Sequence, residues 1–197
     1  LLPIIHKYDG VICGDDEYTR EVIKVGKEGK LKVLSKYGVG LDRIDLEAAK
    51  EFGIGVTNVP GINQVSVSEH VLALLFTFSK NIHLQYNSVQ GGSWKRGIGY
   101  EIKGKIMGII GLGAVGKELG KKASALGMKV IAYDIFKDQE FLDKNSDISF
   151  TKDINDIYSK CNVISLHLPH TKDTDKLINN HVITTKLKKQ PIIINTA

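Results

Sequence analysis

The sequence has little of what would mark a secreted, metal-bound, membrane or nucleic-acid-binding protein. Only two cysteines occur in 197 residues. Cys13 and Cys161 each lie beside an apolar, strand-like run, and no CxxC is present. That excludes a disulfide scaffold and fits buried, reduced thiols in a cytoplasmic protein. His167 and His170 are three residues apart with Pro169 between them, so they share no helical face, and no metal is expected. The longest apolar stretch, Val71 to Phe78, is too short to span a bilayer, and Leu1 to Lys7 lacks the pattern of a signal peptide. No membrane partner is therefore expected. Arginine is scarce: apart from Arg20, Arg43 and Arg96, all 27 basic residues are lysines. They are spread along the chain with no basic stripe interleaved with aromatics, so the net charge of +5 does not point to nucleic acid. Internal repeats and low-complexity tracts are also absent.

The chain does show strand and helix patterns alternating from end to end. Its hydrophobic content of 42% is enough for one good core, or for one domain plus part of another. Strands are expected at Gly10–Cys13, Leu31–Ser35, Ile54–Val59, Lys105–Ile110, Lys129–Asp134, Ile148–Phe150, Val163–Leu166 and Ile192–Asn195. Thr19 caps a helix running to Glu28, and Asp42 or Asp45 caps one that Gly53 ends. A long helix is expected from Gln64 to His83. One of its faces carries Val67, Val71, Leu74, Leu75, Phe78 and Ile82, and a second carries Val65, Leu72 and Phe76. A helix apolar on two sides needs cover on both. The segments after Gly113, from Asp153 to Lys160 and from Val182 to Lys188 also read as helices. This alternation means βαβ units and a parallel sheet, an α/β fold. Pro60-Gly61 marks a boundary between residues 1–60 and 61–197.

Gly111-Leu112-Gly113-Ala114-Val115-Gly116 is a GxGxxG motif with its full context. It follows a buried strand and opens an amphipathic helix. A second strand then ends in Asp134, 18 residues past Gly116. Gly111 allows the tight turn, Gly113 lets a pyrophosphate approach the backbone, and Gly116 lets helix and strand pack closely. The helix N-terminus offers free N–H groups and partial positive charge to phosphates. Asp134 can accept hydrogen bonds from ribose hydroxyls and repel a 2′-phosphate, which favours NAD over NADP.

Several runs then carry a resemblance. They are Ser35 to Asp45, Asn58 to Asn63, Val67 to His70, Gly91 to Trp94, Gly104-Lys105, Gly108 to Gly113, Leu126 to Met128, Leu166 to Pro169 and Asn195 to Ala197. In this order they resemble the D-isomer-specific 2-hydroxyacid dehydrogenases. The resemblance implies a Rossmann NAD-binding domain, incomplete at its C-terminal end, over 61–197. It implies a partial flavodoxin-like substrate domain over 1–60. The implied reaction is hydride transfer between NAD and C2 of a D-2-hydroxy acid. The favoured substrate is 3-phosphoglycerate, which feeds serine synthesis. Glyoxylate or hydroxypyruvate is the alternative substrate, and a non-catalytic NAD-binding regulator the alternative role.

Residue by residue, the resemblance places the substrate carboxylate on the Val39 and Gly40 N–H groups. Lys36 is then either close to the substrate anion or a solvated surface lysine. Gly111, Gly113, Ala114, Val115, Gly116 and Asp134 would line the cofactor site, with His167, Leu168, Pro169, Thr174, Thr196 and Ala197. His70 resembles a buried structural histidine. Helix 64–83 and the Trp94 loop resemble a homodimer contact. The family's chemistry needs an arginine to hold the substrate carboxylate and a histidine–glutamate pair to move the proton, and the arginine directly follows an Asn-Thr-Ala run. All three are expected beyond Ala197, so the chain reads as part of a longer enzyme, inactive alone.

Overall fold

The computed structural model describes all of residues 1–197. Packing divides the chain into two compact units, Leu1–Asn63 and Gln64–Ala197. No helix is long and apolar enough to cross a membrane.

In the first unit, β1 (Gly10–Cys13), β2 (Val33–Lys36) and β3 (Gly55–Thr57) form a parallel sheet in sequence order. Between them run α1 (Arg20–Glu28) and α2 (Leu46–Glu51). Thr19 caps α1 through the Val22 N–H, and Asp45, rather than Asp42, caps α2 through the Ala48 N–H. β2 and β3 are shorter than the apolar runs that signal them. Leu31 is buried, but its N–H closes the end of α1 on the Gly26 carbonyl instead of joining the sheet.

Strand alternation divides this sheet into two faces. Val11, Cys13, Leu34, Lys36 and Val56 share one face by register. Cys13 and Leu34 on it are fully buried with Ile23, Ala48 and Ala49 of the helices. Ile12 on the other face is 79% exposed. Lys36 falls on the buried face, and this corrects the reading of it as a solvated surface lysine.

In the second unit, β4 (Ile106–Ile110), β5 (Lys129–Tyr133), β6 (Ile148–Thr151), β7 (Val163–Leu166) and β8 (Ile192–Asn195) are all parallel. Their order is β6-β5-β4-β7-β8. β4 is therefore central, which is why its sequence is apolar throughout. The chain leaves β4 for β5 on one side, and after β6 it crosses back to place β7 on the other side of β4, which opens a crevice at the carboxyl ends of β4 and β7.

α3 (Gln64–Ser79) lies against α5 (Ala114–Ala125), burying Val71 and Leu75 with Leu119 and Ala123. Each large apolar side chain buried in this way contributes roughly 1.5–3 kcal/mol. Lys122 ties the two helices together, its Nζ donating to Ser68 Oγ at 3.0 Å and to Glu118 at 2.8 Å. Leu126 falls at the C-cap of α5 and is exposed. α6 (Gln139–Lys144) was not anticipated; Asp138 caps it. α7 (Ile154–Lys160) packs beneath β4 and β5. The segment expected as a helix over 182–188 is one π-helical turn, Val182–Lys186.

The long helix 64–83 is two helices. α3 stops at Ser79, and α4 runs over Ile82–Gln90. Asn81 between them adopts left-handed backbone, φ 55°. Residues 98–100 hold this break: Tyr100 N–H donates to the Ser79 carbonyl and Asn81 Nδ2 to the Ile98 carbonyl. A Cβ on Gly99 would lie 2.5 Å from the Ser79 oxygen, so the segment reaches the helix end only as glycine. Apolar periodicity runs across the break because Ile82, Tyr86 and Val89 of α4 continue it at helical spacing.

Gly108 lets α7 approach β4. A Cβ there would lie 2.5 Å from Ile157 Cγ2 and 2.7 Å from Cys161 Sγ. Gly108→Ala should therefore overpack the core and lower unfolding stability by about 1–3 kcal/mol, readable by urea denaturation. An unchanged midpoint would show that α7 yields freely.

Candidate functional site

The turn from β4 into α5 is where the second unit brings most of the singled-out residues together. Gly111 has φ 101° and donates to the Tyr133 carbonyl at 2.8 Å. A Cβ on it would meet the His167 carbonyl oxygen at 2.5 Å and Leu168 Cδ2 at 3.0 Å. A Cβ on Gly116 would sit 2.0 Å from the Gly111 oxygen. A Cβ on Gly113 would meet nothing within 4 Å. Gly111 and Gly116 thus close the turn on itself and on β7, while Gly113 faces open space.

α5, like α4, begins without the side-chain cap that other helices of the chain carry. Side chains of Thr19, Asp45, Asp138 and Asp153 cap α1, α2, α6 and α7. α5 starts on Gly113 with no side-chain cap. The N–H groups of its first turn, Ala114, Val115 and Gly116, are left to an external acceptor. An uncapped helix end beside a backbone with open approach suits a phosphate group.

Asp134 follows β5 and is half-buried. Its Oδ2 accepts from the Leu112 N–H at 2.6 Å and its Oδ1 from the Phe136 N–H at 3.0 Å. The carboxylate therefore braces the glycine turn, and its remaining lone pairs are available to hydroxyls.

His167 follows β7, its N–H donating to the Ile110 carbonyl. Its Nε2 lies 2.9 Å from Ser165 Oγ, which is fully buried. Burial pushes the imidazole pKa down to about 4, so the ring is neutral near pH 7. Beyond it, Leu168, Pro169, Thr174 and Ala197 line a cavity of about 340 Å³ together with His170, Lys176, Leu177, Ile178 and Asn195. Thr174 Oγ donates to the Pro169 carbonyl at 2.6 Å, shaping the loop. Thr196 Oγ1 is buried without a partner in the chain. Sequence reading missed Lys176 and Ile178, whose only signal is their position in the loop after β7.

A second cavity, also about 340 Å³, opens at the ends of β5 and β6 beside Asp134. The glycine turn, the uncapped helix, the braced carboxylate and the orphaned Thr196 hydroxyl fit a dinucleotide. This unit is a Rossmann-type dinucleotide-binding domain.

The sequence profile of the D-isomer specific 2-hydroxyacid dehydrogenase NAD-binding domain matches residues 72–197. A D-3-phosphoglycerate dehydrogenase of Methanocaldococcus jannaschii is 38% identical over 95% of this chain and 35% of its own length. A hydroxypyruvate reductase of Thermotoga maritima is 37% identical over all of this chain and 63% of its own length. Among solved structures, D-lactate dehydrogenase from Aquifex aeolicus complexed with NAD and lactic acid superposes with a TM-score of 0.87. It is 30% identical, over 100% of this chain and 59% of that one. This chain belongs to the D-isomer specific 2-hydroxyacid dehydrogenase family, and residues 72–197 are NAD-binding domain. It spans less than two thirds of the length of each of these relatives.

Lys36, Val39 and Gly40 lie in the first unit, at and after the end of β2. Lys36 Nζ donates to the Gly14 carbonyl at 2.5 Å and to Asp15 at 3.1 Å, with the side chain 9% exposed. Asn58 Nδ2 donates to the Val39 carbonyl at 2.7 Å, and Val59 N–H to the Gly38 carbonyl. These bonds fix the loop through its carbonyls and leave the Val39 and Gly40 N–H groups uncommitted. His70 is exposed on α3, contrary to the buried role expected of it.

His167 makes stability depend on pH. Its folded pKa lies below the ordinary value, so the unfolded chain binds the proton first. The contribution is complete above pH 6.5 and is lost as pH falls toward about 4. His167→Gln should remove roughly 2–3 kcal/mol of the stability difference between pH 7 and pH 4.5 in urea unfolding. Identical pH slopes for wild type and variant would disprove it.

Proposed function

We propose that the parent protein is an NAD-dependent dehydrogenase of a D-2-hydroxy acid, with 3-phosphoglycerate as substrate and a place in serine synthesis. The observation that carries the cofactor half is the glycine turn, closed by Gly111 and Gly116 and open at Gly113. Bound NAD supplies the hydride acceptor. The chain's own residues bind and orient it. Ala114, Val115 and Gly116 present N–H groups to the pyrophosphate, and Asp134 accepts from the adenosine ribose. Neutral His167, with Leu168, Pro169, Thr174, Thr196 and Ala197, borders the rest of the cofactor.

His167 is not assigned the proton transfer, because a group titrating near 4 is a weak base at neutral pH. Val39 and Gly40 offer N–H donors to the substrate carboxylate. Lys36 adds a fixed positive charge beside that loop. The substrate choice is supported by the phosphoglycerate dehydrogenase relative, whereas the hydroxypyruvate reductase of similar identity supports hydroxypyruvate or glyoxylate as the second reading. The decisive comparison is the NAD-linked rate of the full-length protein on 3-phosphoglycerate against hydroxypyruvate and D-lactate. A preference for either of the latter would reject the first reading.

The buried free thiols fit a reducing cytoplasm. The protein should be a homodimer through the segment 64–83, which is α3 and the start of α4, and the Trp94 loop. α4 buries no residue, Trp94 is 83% exposed and Ile98 is 93% exposed, alongside Phe78, Leu84 and Tyr86. An apolar surface of this kind is a docking face. Light scattering should give twice the protomer mass, and a double Leu84→Asp/Trp94→Asp change should halve it. A wild-type monomer at micromolar concentration would remove the proposal.

Gly113→Ala tests the cofactor reading directly. The new methyl meets open space and φ is −75°, so stability should change by less than about 1 kcal/mol. NAD affinity should fall about tenfold or more as the methyl occupies the approach to the backbone. Unchanged affinity would place the pyrophosphate elsewhere.

A further inference from the structure

Three serines are fully buried, and two of them, Ser68 and Ser79, donate to carbonyls of their own helix, those of Val65 and Phe76. The third, Ser165, has a different partner. It sits on β7 between Ile109 of β4 and Ile194 of β8, its register partners on either side. Both belong to the apolar core shared with Val71 and Leu75 of α3. A hydroxyl in such a layer must find its hydrogen bond inside the protein, because water does not reach it. Residues two apart along a strand point to the same face, so His167 follows on the side of Ser165. Its Nε2, 2.9 Å away, is the one hydrogen-bond partner of the Ser165 hydroxyl.

This pair can be bonded in two ways. If Nε2 carried the hydrogen and donated to Oγ, the buried Ser165 O–H would be left without an acceptor, since the hydroxyl has no second partner. If Oγ donates to Nε2, that donor is satisfied and the ring hydrogen sits on Nδ1. A buried donor without an acceptor is the more unfavourable of the two, because an oxygen tolerates an unused lone pair. Nδ1 makes no hydrogen bond within the chain. Nor is it one of the two side-chain atoms buried without a partner, which are Gln64 Oε1 and Thr196 Oγ1. It is therefore open to a ligand. The residue stands at the crevice: its N–H donates to the Ile110 carbonyl, and its own carbonyl oxygen lies against the Gly111 turn.

We infer that Ser165 is a positioning residue: it donates to His167 Nε2, holds the ring as the Nδ1–H tautomer, and so makes His167 a fixed hydrogen-bond donor to an oxygen of the bound dinucleotide. The inference rests on the reading that this unit binds NAD at the crevice of β4 and β7. With its lone pair taken up by Ser165, the ring turns no basic nitrogen to the crevice. A proton added at Nε2 would strand the Ser165 hydroxyl, which acts in the same direction as the burial that keeps the imidazole neutral.

NMR of the full-length protein, labelled with heavy nitrogen in histidine only, reads the tautomer directly, with His167→Gln to assign the signals. At neutral pH wild type should carry the His167 hydrogen on Nδ1, with and without NAD. Ser165→Ala removes one oxygen from an apolar layer. It should lose the tautomer preference, and its NAD dissociation constant by calorimetry should rise about three- to tenfold. His167→Gln/Ser165→Ala should bind NAD within about twofold of His167→Gln, because Ser165 acts through the ring. Melting curves confirm folding. Hydrogen on Nε2 in wild type overturns the inference without recourse to any variant. Ser165→Ala that keeps the Nδ1–H form, or wild-type affinity, overturns it too. So does an equal affinity loss from Ser165→Ala in the His167→Gln background, which reports the strand and not the ring. Wild type that shows the Nδ1–H form but binds no NAD would instead overturn the NAD reading beneath it.

Discussion

The backbone approach between Gly111 and Gly116 is the constraint on which the second unit turns. A Cβ on Gly116 would lie 2.0 Å from the Gly111 oxygen, and one on Gly111 would run into the His167 carbonyl. These clashes are with main chain, which cannot rotate out of the way as a side-chain tip can. Glycine at both places lets α5 start immediately above the central strand β4, in contact with the loop from β7. The position of the helix N-terminus, the mouth of the crevice and the depth of His167 all follow from that approach.

Asp134 is the polar counterpart of this packing. Its carboxylate receives the Leu112 N–H from within the glycine turn, so the group read as a ribose ligand is also part of the support for the phosphate loop. A residue with both tasks ties cofactor choice to loop geometry. Removing the whole side chain would disturb the turn as well as the charge balance. His167 works through burial instead. Held beside Ser165 under the protein surface, it is a neutral hydrogen-bonding group rather than a charged one.

The central part of the second unit was legible because its signals are local. The apolar β4 strand, the glycine spacing and the following amphipathic helix are contiguous, and each restricts the same few residues. Asp134 could be placed by its distance from the motif. The break at Asn81 was not legible, because the residues that hold it come from 98–100, some twenty positions later, while the apolar pattern continued across it. The environment of Lys36 was likewise hidden. Lysine is usually exposed, and only the register of β2 between β1 and β3 turns it to the helix-covered face. His70 departs in the opposite direction: the resemblance implies a buried histidine, and α3 turns it to the surface.

By itself, then, the sequence determined the alternating α/β architecture, the dinucleotide turn and the family. These depend on short-range periodicity and on the stereochemistry of glycine, which a one-dimensional pattern carries in full. Tertiary structure alone decided which end of the long apolar segment is covered and that the Asp134 carboxylate braces the turn. The first depends on α3 packing against α5 and the second on a strand end meeting a turn, and both distances are set by strand order and packing rather than by position along the chain.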